Sequence, residues 1–240
     1  QFHLGVRLTS EEAMPLVMLA AMTVSQQLLS QLSANGATGV LGNWVRARGL
    51  GVLKGIDYGK TGQVERIRSD AIQDLLDQDF IPIVANLGWN KLGQIYNINS
   101  NEIASALCAK LNVTKLLMIT PEGGLKADGF SLPEGVQASA KGVLHEMTVD
   151  QAKQFLTLNQ EALPYSIRDA LLHSLASCET GVERVHFVSG ISEGAMIEEI
   201  FSSRDGGTMI YGNDYSVIRQ AKSRDIPELL KMMDGYMKME

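Results

Sequence analysis

The feature that most constrains this chain is a steady alternation. Short runs rich in Val, Ile and Leu are separated by helix-length amphipathic segments from about residue 43 to residue 211. A strand followed by a helix, repeated, buries its apolar surface best as a sheet covered by helices on both faces. The expectation is therefore an α/β protein, a three-layer αβα sandwich with a mostly parallel sheet. With 45% apolar residues in 240, a full core can be buried, as one large domain or two small ones.

Local signals set the expected boundaries. A first helix is read from Glu11 to Leu32 or, because Pro15 suits only a first turn, from Met14; Thr9 or Ser10 caps it and Asn35-Gly36 ends it. Residues 43–68 read as hairpins, with turn residues at Tyr58 to Gly62, and Asn90 to Gly93 turns another. Ser69 opens a helix, Phe80 to Ala85 is a strand, and Asn99 to Leu111 is a helix. The unbroken apolar run from Val113 to Ile119 reads as a strand buried on both faces. From Pro121 to Glu146 the chain is loop-rich and is expected at the surface and mobile. Helices at Val149 to Asn159 and Ile167 to Ser177, a strand at Arg184 to Ser189, a helix at Gly194 to Phe201 and a strand at Thr208 to Tyr211 complete the pattern. Beyond Ser216 one strand-like run and one amphipathic helix remain, too little for a domain.

Several function classes are disfavoured by composition. The net charge is -6 and no run of Lys or Arg stands out, which argues against a nucleic-acid partner. Met14 to Met22 is too short an apolar stretch to span a bilayer. Cys108 and Cys178 show no paired spacing and read as buried free thiols, and His3, His145 and His173 lack metal-ligand spacing. No metal is expected. Trp44, Trp89 and the 11 methionines read as packing.

Three segments, in order, resemble the N-acetylglutamate kinase and synthase group of the amino-acid kinase family. Tyr96-Asn97-Ile98-Asn99-Ser100-Asn101, with its helix and the strand Lys115 to Ile119, is similar to that group's Asn-x-Asn-x-Asp element. Gly181 to Ser189, through Glu199-Ile200-Phe201 to Gly207-Thr208-Met209, resembles its arginine-site element. Ile218 to Lys222 with Asp225-Ile226 resembles the opening of the acetyltransferase domain that follows the kinase-like domain in the synthases. The resemblance covers nearly the whole chain and implies an amino-acid kinase-like domain over residues 1–215. Residues 216–240 would be a linker and the first strand and helix of an acetyltransferase domain. The glycine-rich, lysine-bearing strand that opens the kinases would precede residue 1.

The same resemblance implies roles. Arg7, from a Gly-x-Arg-x-Thr pattern, would hold a substrate carboxylate in a bidentate fork; a solvated surface arginine is the alternative. Asn97 and Asn99 would line an N-acetylglutamate or glutamate site, although helix capping explains Asn99 equally well. Asn101 stands where the kinases have an aspartate, and an amide there removes a charge that phosphoryl transfer needs. His186 and Glu199 would contact an L-arginine effector, with Gly206 and Gly207 admitting its close approach; a core histidine and a solvated glutamate are the alternatives. Arg168 or a neighbour stands near a family lysine position.

Together these imply the arginine-sensing half of an N-acetylglutamate synthase, which moves an acetyl group from acetyl-CoA to glutamate at the start of arginine biosynthesis. Acetyl-CoA would bind the acetyltransferase domain, so residues 1–240 alone are expected to be inactive. An active ATP-dependent N-acetylglutamate kinase and a non-catalytic kinase-fold scaffold are the competing readings. A homo-oligomer is implied by family habit, in the cytoplasm or a plastid.

Overall fold

The computed structural model describes residues 2–3, 5–121, 123–201 and 207–212. The expected tail after Ser216 and Gly206 lie outside the described residues. In chain order the amino-terminal half comprises β1 (Phe2–His3), β2 (Val6–Arg7), α1 (Met14–Ala34), β3 (Gly39–Leu41), β4 (Val45–Gly49), β5 (Val52–Leu53), β6 (Ile56–Asp57), β7 (Gly62–Ile67), α2 (Ser69–Leu76), β8 (Ile81–Ile83), β9 (Leu87–Trp89) and β10 (Ile95–Asn97). The rest comprises α3 (Ser100–Cys108), β11 (Lys115–Thr120), β12 (Glu146–Thr148), α4 (Val149–Leu158), α5 (Tyr165–Glu179), β13 (Arg184–Ser189), α6 (Ala195–Phe201) and β14 (Thr208–Tyr211).

The fold is mixed α/β, with parallel pairings in its sheets. One four-stranded sheet has the order β10-β9-β4-β7; its β9–β10 pair is the hairpin expected around Asn90 to Gly93, whereas the expected turn at Tyr58 to Gly62 does not join Val52-Leu53 to residues 64–67, because β7 pairs with β4 instead. The small β5–β6 hairpin sits within the β4–β7 connection. A two-stranded parallel pair, β3 with β8, lies beside it in sequence. The second four-stranded sheet has the order β11-β13-β14-β12, with β11 parallel to β13, β12 parallel to β14, and β13 antiparallel to β14.

Helix ends follow from local chemistry. Pro15 lies in the first turn of α1, where its missing N–H costs no helical bond, and Ser10 serves that end, accepting from Ala13 N at its Oγ (3.2 Å) and from Met14 N at its carbonyl (3.2 Å). Gly36, at φ 75°, carries the chain out in the left-handed region. Asn99 caps α3, its Oδ1 accepting from Asn101 N at 2.9 Å. Thr148 and Gln151 form a reciprocal capping box on α4, an arrangement worth about 1 kcal/mol.

The largest core lies under the second sheet, where Leu144, Met147, Phe155, Leu171, Val185 and Ile210 are fully buried. Helices α4 and α5 cover it. Two positions differ from the sequence expectation for a physical reason. The apolar run at β11 is an edge strand with only Met118 buried and Ile119 60% exposed, while the central β13 has both faces covered. The segment after Pro121 is pinned rather than loose: Leu125, Val136 and Leu144 insert into the core, and Leu144 N donates to Leu125 O at 2.7 Å. Three apolar anchors in a loop-like composition are enough to hold it.

Candidate functional site

Two constellations gather the chemistry. The first is a cleft of about 1070 Å³ between α1, the β2 end, the start of α3 and the first turns of α5. Arg7, Asn97, Asn99 and Asn101 all line it. Arg7 is exposed on β2, and its carbonyl accepts from Thr61 Oγ1 at 2.6 Å.

Asn97 ends β10 and is buried. Its Nδ2 donates to Thr9 Oγ1 at 3.0 Å, and its Oδ1 accepts from Asn86 Nδ2 at 3.0 Å. The backbone is fixed as well, Asn97 N donating to Lys60 O at 2.8 Å. Asn99 both caps α3 and reaches across the cleft: its Nδ2 lies 2.9 and 2.8 Å from the two oxygens of Asp169. Capping and cleft lining, alternatives in the sequence, are thus both true of this side chain. Asn101 Nδ2 donates to Asp169 Oδ2 at 2.8 Å, so its amide is a hydrogen-bond donor where a carboxylate would have repelled its neighbour.

Sequence reasoning missed Asp169. It is buried on α5, accepts from Tyr165 Oη at 3.2 Å, and has His173 Nε2 3.7 Å away. Tyr165, Asp169 and His173 recur every four residues on one face of the helix, and that spacing was the available signal. Arg168, one position off the stripe, instead lies over the Tyr165 ring at 5.6 Å and donates to Gln160 O at 3.2 Å. Burial, together with the Asp169 charge, pushes the Tyr165 hydroxyl above its ordinary range. Glu102, also lining the cleft, has its carboxyl raised by burial against the opposing hydrogen bond from Val64 N at 2.7 Å.

The second constellation joins β13 to α6. His186 and Glu199, thirteen positions apart, meet with Nδ1 3.0 Å from Oε1, and their side chains are 6% and 10% exposed. Which of the two atoms donates is set by the imidazole tautomer. The other ring nitrogen, Nε2, is buried and finds no partner among the described residues. Gly207 closes over the pair. A Cβ there would fall within contact of the Glu199 carboxylate and only 2.6 Å from Phe187 O, so only glycine fits. Glu198, by contrast, is exposed, so of the two adjacent carboxylates it is Glu199 that turns inward.

The remaining polar features are structural. Cys108 and Cys178 are free thiols, the first buried and the second half-buried, and burial pushes the Cys178 thiol up to about 11. No helix among the described residues is long and apolar enough to cross a membrane.

This chain belongs to the amino acid kinase family, whose pattern matches residues 2–189. It is 31% identical over 240 residues to the amino-acid acetyltransferase of Actinobacillus pleuropneumoniae serotype 7, covering 97% of this chain and 52% of that protein. It therefore spans about half the length of the relatives it matches. Among solved structures it is similar to the N-acetylglutamate synthase of Neisseria gonorrhoeae complexed with coenzyme A and N-acetyl-glutamate, with a TM-score of 0.76, 25% identity, and coverage of 100% of this chain and 53% of that one. The same Neisseria protein complexed with coenzyme A and L-arginine superposes with a TM-score of 0.75 at 24% identity, covering 98% of this chain and 54% of that one.

Proposed function

We propose that this chain is the arginine-sensing, kinase-like domain of an N-acetylglutamate synthase, the enzyme that transfers an acetyl group from acetyl-CoA to L-glutamate. The observation that carries the reading is the His186–Glu199 contact, a nearly buried carboxylate held against an imidazole at 3.0 Å beneath a glycine backbone. A guanidinium is a planar five-donor fork, and a nearly buried carboxylate is the acceptor such a fork fits. On this reading L-arginine takes the place beside Glu199 that His186 now holds, with Gly206 and Gly207 contributing backbone groups. The complexes of the Neisseria synthase with arginine and with N-acetyl-glutamate support the choice of ligands.

The cleft lined by Arg7, Asn97 and Asn99 takes N-acetylglutamate or glutamate, its carboxylate toward Arg7. Acetyl-CoA belongs to an acetyltransferase domain that would begin within residues 216–240; residues 1–215 are the kinase-like domain. The exposed Leu19 and Leu28 of α1, outside the cleft lining, are the face through which a homo-oligomer forms.

A phosphotransferase is disfavoured by one observation: Asn101, an amide that donates to Asp169 at 2.8 Å, stands where the kinases carry the aspartate that transfer needs. Calorimetric titration with L-arginine and with N-acetylglutamate tests the proposal. Binding of arginine is expected, together with no acetyl transfer by residues 1–240. ATP-dependent phosphorylation of N-acetylglutamate, or the absence of any arginine heat, would overturn it.

A further inference from the structure

We infer that the α1 wall of the cleft is an acyl-chain site: the cleft takes N-acylated amino dicarboxylates longer than acetyl, with the aliphatic chain along Leu16, Val17 and Val24 and a carboxylate toward Arg7. The inference rests on the proposed reading that the cleft holds a ligand of the N-acetylglutamate type, and it adds the acyl length that the cleft favours.

The two walls differ in chemistry. Every α1 residue that lines the cleft is apolar: Leu16, Val17, Ala20, Ala21 and Val24. They recur at helical spacing along about 12 Å of one face. Leu16 is 69% exposed and Val24 56%, so among the described residues nothing covers the two ends of that face. A neighbouring groove on α1 has the mixture expected of a solvated helix, with Thr23, Gln26 and Ser30 in its lining. Apolar side chains toward the cleft are thus a property of the cleft side of the helix.

The opposite wall offers a ligand less. Asn97 is bonded to Thr9 and Asn86, and Asn99 and Asn101 are bonded to Asp169. Amides already satisfied gain little by exchanging one partner for another. Apolar area removed from water is the gain that remains, and it grows with the length of an aliphatic chain. Size points the same way. A cleft of about 1070 Å³ is as large as a site for a drug-sized ligand, whereas N-acetylglutamate has only about a dozen non-hydrogen atoms. A longer acyl chain on the same dicarboxylate fills the space beside α1 and brings no further charge to a lining that already carries Glu102 and Asp169.

The test is calorimetric titration of the full chain with N-acetyl-, N-butyryl- and N-hexanoyl-L-glutamate, and with hexanoate as the chain without the dicarboxylate. Each fully buried methylene corresponds to about three- to four-fold in affinity, so even with partial burial the hexanoyl compound is expected to bind at least about ten-fold tighter than the acetyl compound. Leu16→Asn combined with Val24→Thr, both at exposed positions, is expected to cut that ratio to about two-fold. Ala20→Phe, which fills the same wall, is expected to do likewise, and circular dichroism establishes that each variant is folded. Equal affinities across the three acyl lengths would overturn the inference. So would a ratio that folded variants leave unchanged, or hexanoate binding as tightly as its glutamate conjugate. If N-acetylglutamate binds and longer chains gain nothing, only this inference falls; if no acylglutamate binds, the ligand-cleft reading falls with it.

Discussion

The cleft and the His186–Glu199 corner solve the problem of buried polar groups in opposite ways. In the cleft two hydrogen-bonded clusters, Thr9 with Thr61, Asn97 and Asn86, and Asp169 with Asn99 and Asn101, satisfy their members across five separate chain segments. The corner is joined by the His186–Glu199 hydrogen bond from α6, a helix of seven residues with none of its residues buried and with Ile197 and Phe201 largely exposed. One region is built before any ligand arrives; the other is held by a bond that a ligand can exchange. The difference teaches where a signal enters. A fully satisfied network gains little from a new partner, whereas on the proposed function a short helix tied through a carboxylate would change its tether when a stronger donor competes for it.

Four substitutions would break or sharpen that contrast, beginning with the strongest. Glu199→Ala removes the charge-assisted acceptor, and arginine affinity should drop by at least about thirty-fold, equivalent to about 2 kcal/mol, with the circular dichroism spectrum unchanged. Unchanged affinity in calorimetry would refute the corner as the sensor. Asp169→Ala strands the Asn99 and Asn101 amides and should lower unfolding stability by about 1–3 kcal/mol in urea titration. A matching loss of arginine affinity there would show that the two regions are one unit.

Gly207→Ala forces a methyl group against the Glu199 carboxylate and Phe187 O. It should weaken arginine about ten-fold while leaving the cleft network intact, and an affinity equal to wild type would show that the glycine backbone is no part of the pocket. The smallest expected effect is a pH dependence. Because burial raises the Glu102 carboxyl, the folded chain keeps its proton at pH values where the unfolded chain has released it. That contribution to stability is fully present below the ordinary carboxylate range and is lost as pH climbs through the raised value. Glu102→Gln keeps an acceptor for Val64 N and should match wild type at acid pH yet be relatively more stable at neutral pH. Identical denaturant midpoints across the range would discard this account.

Particular residues show how far the sequence could be read. The ends of β13 and β14 coincide with their apolar runs, and Pro15 and Asn35-Gly36 mark α1 as their backbone chemistry requires. His186 and Glu199 were legible as a pair through a resemblance whose spacing matches the strand-then-helix geometry observed. Asp169 was not. Its neighbours in sequence are Arg168 and Ala170, whereas its partners are 68 and 70 positions away on α3. Likewise the run that became β11 reads as a buried strand, yet apolar content cannot reveal that a strand lies at a sheet edge.

By itself the sequence determined what depends on neighbours along the chain: which segments are helices and strands, where they start and stop, and which residue types are available for an acceptor or a cap. Periodicity, capping and turn chemistry are local, and their energies act within a few residues. Only the tertiary structure decided which side chains became partners: Asp169 with the α3 amides, and Glu199 with His186. Such pairings are set by how helices pack onto sheets, through burial and hydrogen bonding across long sequence separations, and no pattern along the chain encodes a distance in space.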